Sequence, residues 1–534
     1  MATSAPSPTA SRPRSHAPAA PAVEDGALLP VRHRGLLTVG VMLATIMQIL
    51  DTTIANVALP HMQTSLGATR DTITWVLTSY LVATAIAMPI TGWLADRIGS
   101  RNLFLLALVG FVASSALCGM AQNLPEMVMF RMMQGVSAAF LNPLSQTVLL
   151  DINPPSRQAR AMSIWAMGIM VGPIMGPVIG GWLTDNFEWR WVFYVNLPIG
   201  VVCAALLFWL LPSRPKRRRG FDLYGFSLLA VGLAALQLML DRGQNEDWLQ
   251  SFEVQLELLI TFVGLWMFVT HMVTAKNPMF DREIFRDRNL VTSLVFLAIM
   301  GVIMMATMAL LPPMIENIYG HSVFDTGLLL TPRGTGVICT TAVAGFLMHR
   351  GFDPRILVAA GFAISAWSMW MMTGWALDMG TTPILVSGFL QGLGMGFAFT
   401  PLNTLAFGTL PGKYRTEAAS LMNITRSVGA SIGISVVTTV LARTSQISHA
   451  ALTPHISAET LETFDPGLLQ ALGTTGQTVL AMANAEISRQ AAMIGYLNDF
   501  KLMAILTSCA VPLVFLMRKP ARAGAKPDPS AAGH

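Results

Sequence analysis

Asp51 stands in an apolar run, Leu36 to Leu59, that holds no other ionisable residue. At about 1.5 Å per helical residue such a run crosses a hydrocarbon core of about 30 Å. A carboxylate there costs on the order of 3 kcal/mol on insertion scales, so it is expected to face a bundle interior or a water-filled cavity and to mark an ion or substrate path. The plain alternative is an ion pair that only locks helices together. Arg131 lies in another apolar run and offers such a partner. An arginine and desolvation pull a carboxylate's proton affinity in opposite directions, so a pair whose access to water changes acts as a proton switch. Spacing alone does not establish that the two touch, and Arg131 could instead donate to backbone carbonyls.

Arg333 and Arg426 also fall inside apolar runs, as candidates for paired or pathway charges, whereas Lys501 lies near a run's end and can snorkel. Gln48, Asn56, Asn142, Gln146, Asn403 and Asn423 are the polar side chains expected to line a central cavity together with Arg426. Some of the 34 Met and 26 Phe would repack there around varied apolar ligands, while most face lipid or neighbouring helices. Catalytic residues, metal ligands and organic cofactors are not expected, and a proton is the expected coupling ion. The four cysteines, Cys118, Cys203, Cys339 and Cys509, lack metal or redox spacing and are expected to be small packing residues.

These residues need long helices to hold them. The 534 residues are 53% hydrophobic and 12% charged, with a mean hydropathy of +0.56, against about 25% charged in soluble domains. The apolar runs are continuous over about 20 residues rather than alternating over about 10, which implies helices and not a barrel. The fold class is therefore all-α and polytopic. Fourteen spans are expected, at roughly 36–59, 72–94, 103–121, 125–150, 161–183, 190–211, 223–241, 253–272, 289–315, 326–348, 355–377, 382–408, 417–443 and 493–517. With a cytoplasmic N-terminus, 25 of the 34 Lys and Arg collect in the tails and alternate loops of one side, as the positive-inside rule demands. Both termini are then cytoplasmic. Residues 1–35, rich in Ala, Pro and Ser, are expected to be a disordered tail and not a cleaved leader, and 518–534 a second tail.

A repeat runs through the chain. Gly92 to Arg97 is echoed by Gly345 to Arg350, Gln134-Gly135 by Gln391-Gly392, and Arg157 with Gly172 and Gly176 by Arg415 with Gly429 and Gly433. The offsets all lie between 253 and 258 residues, which makes 36–211 and 289–517 related six-helix halves with 212–288 inserted as two further helices. Two parallel halves related by an axis along the membrane normal are the plan of the major facilitator fold.

Four motifs resemble that superfamily. Gly92-x-Leu94-Ala95-Asp96-Arg97-x-Gly99-Ser100-Arg101 resembles its motif A, in which the acidic and basic residues form interhelical ion pairs that hold one access state; Ser100 replaces the usual basic residue. As a plain alternative, the segment is a positive-inside anchor. Gly168, Gly172, Pro173, Gly176, Pro177 and Gly180 resemble motif C of the antiporter branch. Glycines at every fourth position bare one helical face for close packing, and the prolines remove donors and bend the helix. Arg131 with Gln134, Gly135, Asn142 and Pro143 resembles motif B, whose arginine is associated with proton transfer. Leu50 to Pro60, Trp189 to Gly200 and Leu240 to Trp248 resemble the fourteen-helix drug:proton antiporters of the EmrB/QacA group, closest to the EmrB type.

The resemblance implies a proton-driven exporter of hydrophobic toxic compounds in a bacterial inner membrane, working by alternating access with no nucleic-acid partner. No Gly-x-x-x-x-Gly-Lys-Ser/Thr loop is present for ATP drive. A specific exporter of a metabolite, siderophore or lipid would carry the same motifs; a membrane-bound sensor or enzyme on a transporter scaffold is the remote alternative. In EmrB-type pumps a periplasmic adaptor leads to an outer-membrane channel. Residues 444–492, with a helix over 481–496, form an outside segment suited either to docking that adaptor or to serving as a solvated loop.

Overall fold

The computed structural model describes residues 27–29, 31–212, 220–244, 246–455 and 477–517. Fourteen long helices occur among them: α1 Arg34–Ser65, α2 Trp75–Ile98, α3 Ser100–Met120, α4 Leu124–Ile152, α5 Pro155–Asn186, α6 Asn196–Leu210, α7 Leu223–Arg242, α8 Phe252–Thr274, α9 Arg288–Asn317, α10 Val323–His349, α11 Pro354–Met372, α12 Thr382–Gly408, α13 Arg415–Leu452 and α14 Gln477–Leu513. Each overlaps one expected span, although α13 runs past residue 443 and α14 begins well before residue 493. Eleven stretches among the described residues are long and apolar enough to cross a membrane by length and composition; α4, α5 and α10 fall outside that set.

Sequence sets the helix ends. Asn123, Asp222, Ser322 and Asp353 each accept a backbone N–H of the following first turn, and each such cap is worth about 1 kcal/mol. Gly99, at φ 92°, makes the turn between α2 and α3 in a conformation that side chains rarely adopt. Pro89 removes a donor within α2, which passes through a tighter 3-10 turn at Met88–Ile90.

The packing repeats with the helix order. Helix α1 packs on α5 and α6, α2 on α4, and α3 on α4 and α6; in the same way α9 packs on α13 and α14, α10 on α12, and α11 on α12 and α14. Helices α5 and α10 join the two sets, with Gly345 against Ser163 near one end and Gly327 against Val178 near the other.

The inserted helices α7 and α8 pair with each other, and His271 of α8 lies 2.9 Å from Asp222 before α7. At its far end α7 bridges the sets: Thr78 of α2 donates to Asp241, Ser431 of α13 donates to Gln237 at 2.8 Å, and Trp248 beyond α7 donates to Thr439 of α13 at 3.0 Å.

Helices α13 and α14 hold 38 and 37 residues, about 57 Å and 55 Å at 1.5 Å per residue, well beyond a hydrocarbon core of about 30 Å. Their excess forms an antiparallel pair in which Gly495 lies against Leu441 and His449 meets Asn484 at 2.9 Å. The end of the expected tail meets the core: Leu29 N–H donates to the Asp151 carbonyl at 2.9 Å, and Leu28 lies over Gly412. Only Cys118 and Cys203 pack as small buried residues; Cys339 and Cys509 are exposed, which corrects the expectation for those two.

Candidate functional site

Asp51 and Arg131 are in contact, with Arg131 Nη1 2.7 Å from Asp51 Oδ2 and both side chains fully buried. Asp51 Oδ1 accepts from Gln134 Nε2 at 2.8 Å and from Asn196 Nδ2 at 2.7 Å. Three helices therefore meet on one carboxylate, and Arg131 ties in a fourth by donating through Nε to the Val76 carbonyl of α2 at 3.0 Å, while its Nη1 also donates to Gln134 Oε1 at 2.8 Å. Its guanidinium lies over the Tyr80 ring at 4.4 Å, and Asn196 is steadied by a 3.0 Å bond to Ser115 of α3. Apolar residues of the same helices, including Leu50, Ile54, Val76, Met127 and Phe193, surround the group. Three donors with charge assistance satisfy the carboxylate without water, which is how it is tolerated at this depth.

The glycine stripe explains how α5 reaches this place. Gly168 faces Met42, Gly172 faces Ile49, Gly176 faces Thr53 and Gly180 faces Ile54 and Val57, so the bare face lies along α1 on either side of Asp51. A Cβ at Gly172 would stand 2.9 Å from that of Ile49, and one at Gly176 only 2.6 Å from that of Thr53. Thr53 Oγ1 approaches the Gly172 carbonyl at 3.4 Å. The side chains of Pro173 and Pro177 lie outside the described residues. Gly176→Leu is expected to push α5 off α1 and to cost about 1–3 kcal/mol, measurable as a lower unfolding temperature in detergent. An unchanged unfolding temperature would show that the stripe does not set this approach.

The expected cavity residues divide. Gln146 accepts from Asn423 Nδ2 at 3.1 Å across the two helix sets, and Arg426 donates to Asn423 Oδ1 at 3.2 Å. Beside them Trp165 stacks on Phe399 at 6.2 Å. Asn403 turns to its own helix and donates to the Phe399 carbonyl at 2.8 Å. Gln48 and Asn142 are buried, each with an amide oxygen unpartnered among the described residues, whereas Asn56 is exposed. Arg333 donates to Thr307 Oγ1 at 2.8 Å.

The motif residues sit where the two helix sets meet. Gly92 lies under Glu417 of α13, where a Cβ would stand 2.8 Å from Glu417 Cγ. Nearby Ser420 donates to the Met88 carbonyl at 2.6 Å, and Arg415 reaches Asp151 at 3.4 Å. Asp96 is half-buried and Arg97 stacks on Trp93 at 5.3 Å. Arg101 donates to the Phe208 carbonyl at 2.5 Å in the last turn of α6, a favourable place for a cation. These cross-set contacts gather at the N-terminal end of α1, while Asn56, Pro60 and His61 towards its other end are exposed.

The residues that sequence reasoning passed over are Tyr80, Ser115 and, as a ligand of Asp51, Asn196. Asn196 stood within the matched stretch Trp189 to Gly200, which was its one available signal.

A bundle of apolar helices in two repeated sets, with a buried charge cluster in one and a seam between them, defines a polytopic membrane transporter and not an enzyme. The chain belongs to the major facilitator superfamily, whose family model matches residues 41–434. It is 36% identical to the fatty acid resistance protein FarB of Neisseria gonorrhoeae, over 91% of this chain and 97% of that protein. It is 34% identical to the multidrug export protein EmrB of Escherichia coli K12, over 92% and 96% of the two chains. Among solved structures, a double-tryptophan mutant of XylE shares the fold at a TM-score of 0.60 and 13% identity, with 93% of this chain and 98% of that one covered.

Proposed function

We propose that this chain exports hydrophobic toxic compounds across a bacterial inner membrane, driven by inward proton flow through alternating access. The observation that carries the reading is the buried Asp51, held by Arg131, Gln134 and Asn196 on a helix against which the glycine face of α5 packs. An intramembrane carboxylate with an arginine partner is suited to taking and releasing a proton as water access alternates. The names of the relatives, EmrB as a multidrug export protein above all, supply the substrate class. Gln146, Asn423 and Arg426, with Gln48, Asn56, Asn142 and Asn403, would face substrate when the seam opens. Gly92, Asp96, Arg97, Gly99 and Arg101 would hold it shut.

In the same reading, 36–211 and 289–517 are the two halves, 212–288 is the inserted pair, both termini are cytoplasmic, and the structure is closed on that side. The projecting ends of α13 and α14 would dock a periplasmic adaptor leading to an outer-membrane channel. Deleting residues 450–480 is expected to abolish adaptor pull-down, and retained pull-down would remove this element.

The resemblance to a fatty acid resistance protein favours a second reading, export of long-chain amphipathic acids alone. Purified protein in proteoliposomes with an imposed pH gradient separates the two. Export of several unrelated apolar dyes is expected. Export restricted to fatty acids would support the narrower reading, and gradient-independent export would sink proton drive.

A further inference from the structure

The second helix set contains a buried acid that neither the motifs nor the Asp51 cluster involves. Asp499 of α14 is fully buried, and neither of its carboxylate oxygens has a hydrogen-bond partner among the described residues. A bare carboxylate in such a place costs several kcal/mol, so the group must be neutralised. Its titratable neighbours on the same helix are Tyr496, one turn earlier and buried, and Lys501, two residues on and exposed, which forms no ion pair with it among the described residues. The charged groups of the helices packed against α14 are engaged or placed elsewhere. Arg355 of α11 pairs with Asp353, Arg415 of α13 with Asp151, and Arg426 of α13 with Asn423; Arg443 of α13 and Arg288 of α9 are exposed, and Glu316 of α9 is itself an acid and offers no counter-charge. Glu417 of α13 lies against Gly92, and His449 meets Asn484. A proton is therefore the available neutralising cation.

The last helix of each set carries a buried polar side chain, Asn196 in α6 and Asp499 in α14. At the offset of the repeat Arg333 stands for Tyr80 and Gln391 for Gln134, and Gly392 lies against the Arg333 carbonyl as Gly135 lies against that of Tyr80. Gln391 is also fully buried, with both amide atoms unpartnered among the described residues. The second set thus holds a carboxyl on its last helix, a guanidinium on its second and a glutamine on its fourth.

We propose that Asp499 is a second, exchangeable proton site, held within α9–α14 apart from the Asp51 cluster. The proposal rests on the proton-driven reading above. In this arrangement the carboxyl carries the proton; when the second set repacks, the O–H bond breaks to water on one side, and a proton from water on the other restores it.

Infrared difference spectroscopy of the full-length protein in lipid, between acidic and alkaline pH, tests the site directly. The parent is expected to lose a C=O stretch of a weakly hydrogen-bonded carboxylic acid on alkalinisation. Isotope labelling of aspartate should shift that band. Asp499→Asn should lack it, Asp51→Asn should keep it, and Asp499→Glu should restore it at a displaced frequency. A parent without the band, or a band that persists in Asp499→Asn, overturns the proposal. Protons counted per substrate in proteoliposomes should fall in Asp499→Asn, and an unchanged count in a gradient-driven parent overturns exchange. If the parent itself ignores the gradient, the proton-driven reading fails while the infrared result still decides whether Asp499 holds a proton.

Discussion

Replacing Arg131 with methionine is expected to destabilise the protein by about 3–5 kcal/mol, because it leaves the Asp51 charge buried with its principal partner gone. The remaining donors, Gln134 and Asn196, both reach Oδ1, so the variant strips Oδ2 of its bond as well as its counter-charge. Methionine fills much of the volume and keeps the contacts with the Tyr80 and Phe193 rings, so packing loss is not the main term. The matching double variant Arg131→Met with Asp51→Asn should recover most of the loss, since no charge then remains buried. Unfolding of the four proteins in detergent gives the coupling energy as a double-mutant cycle. Simple additivity of the two single effects would mean that the pair does not interact as its 2.7 Å separation requires.

Much of this arrangement is legible in the chain, for physical reasons that also mark where legibility stops. The helices are announced by runs of about 20 apolar residues, because each must satisfy its backbone internally in lipid. The end of α13 is not, since beyond the membrane a paired helix has no hydropathy boundary to reveal it, whereas the helix expected over 481–496 forms the first part of α14. Asp51 and Arg131 stand out because a charge in an apolar run is costly, but their contact depends on how α1 and α4 pack, which is a tertiary matter. Asn196 and Ser115 bear no charge and look like ordinary small polar residues, although they complete the cluster. The cavity residues were chosen by polarity alone, and polarity does not say whether an amide meets another helix, as Asn423 meets Gln146, or its own carbonyls, as Asn403 does. Arg101 is a similar case: its motif implies an ion pair, while its guanidinium in this arrangement caps the end of α6.

Asp51→Asn should separate coupling from folding. The amide is isosteric and can still accept from Arg131, but it cannot take up a proton. Its single oxygen can serve Arg131 from the Oδ2 position or Gln134 and Asn196 from the Oδ1 position, but not both, so its N–H₂ faces a donor in either orientation and at least one bond of the cluster is lost. The protein should still insert and fold, but with a clearly lowered unfolding temperature, because Arg131 is left buried without its counter-charge. If Asp51 links proton binding to substrate movement, the link is a coupling free energy, and values of about 1–3 kcal/mol correspond to roughly 5–150-fold. The ratio of export with an inward proton gradient to export without one should fall by that factor, while substrate binding at equilibrium and gradient-free exchange persist. Loss of both exchange and gradient-driven export would assign Asp51 to the structural ion pair, or to helix movement itself, rather than to coupling. Retention of the full ratio in Asp51→Asn would move proton coupling away from Asp51, with Asp499 among the buried acids able to carry it.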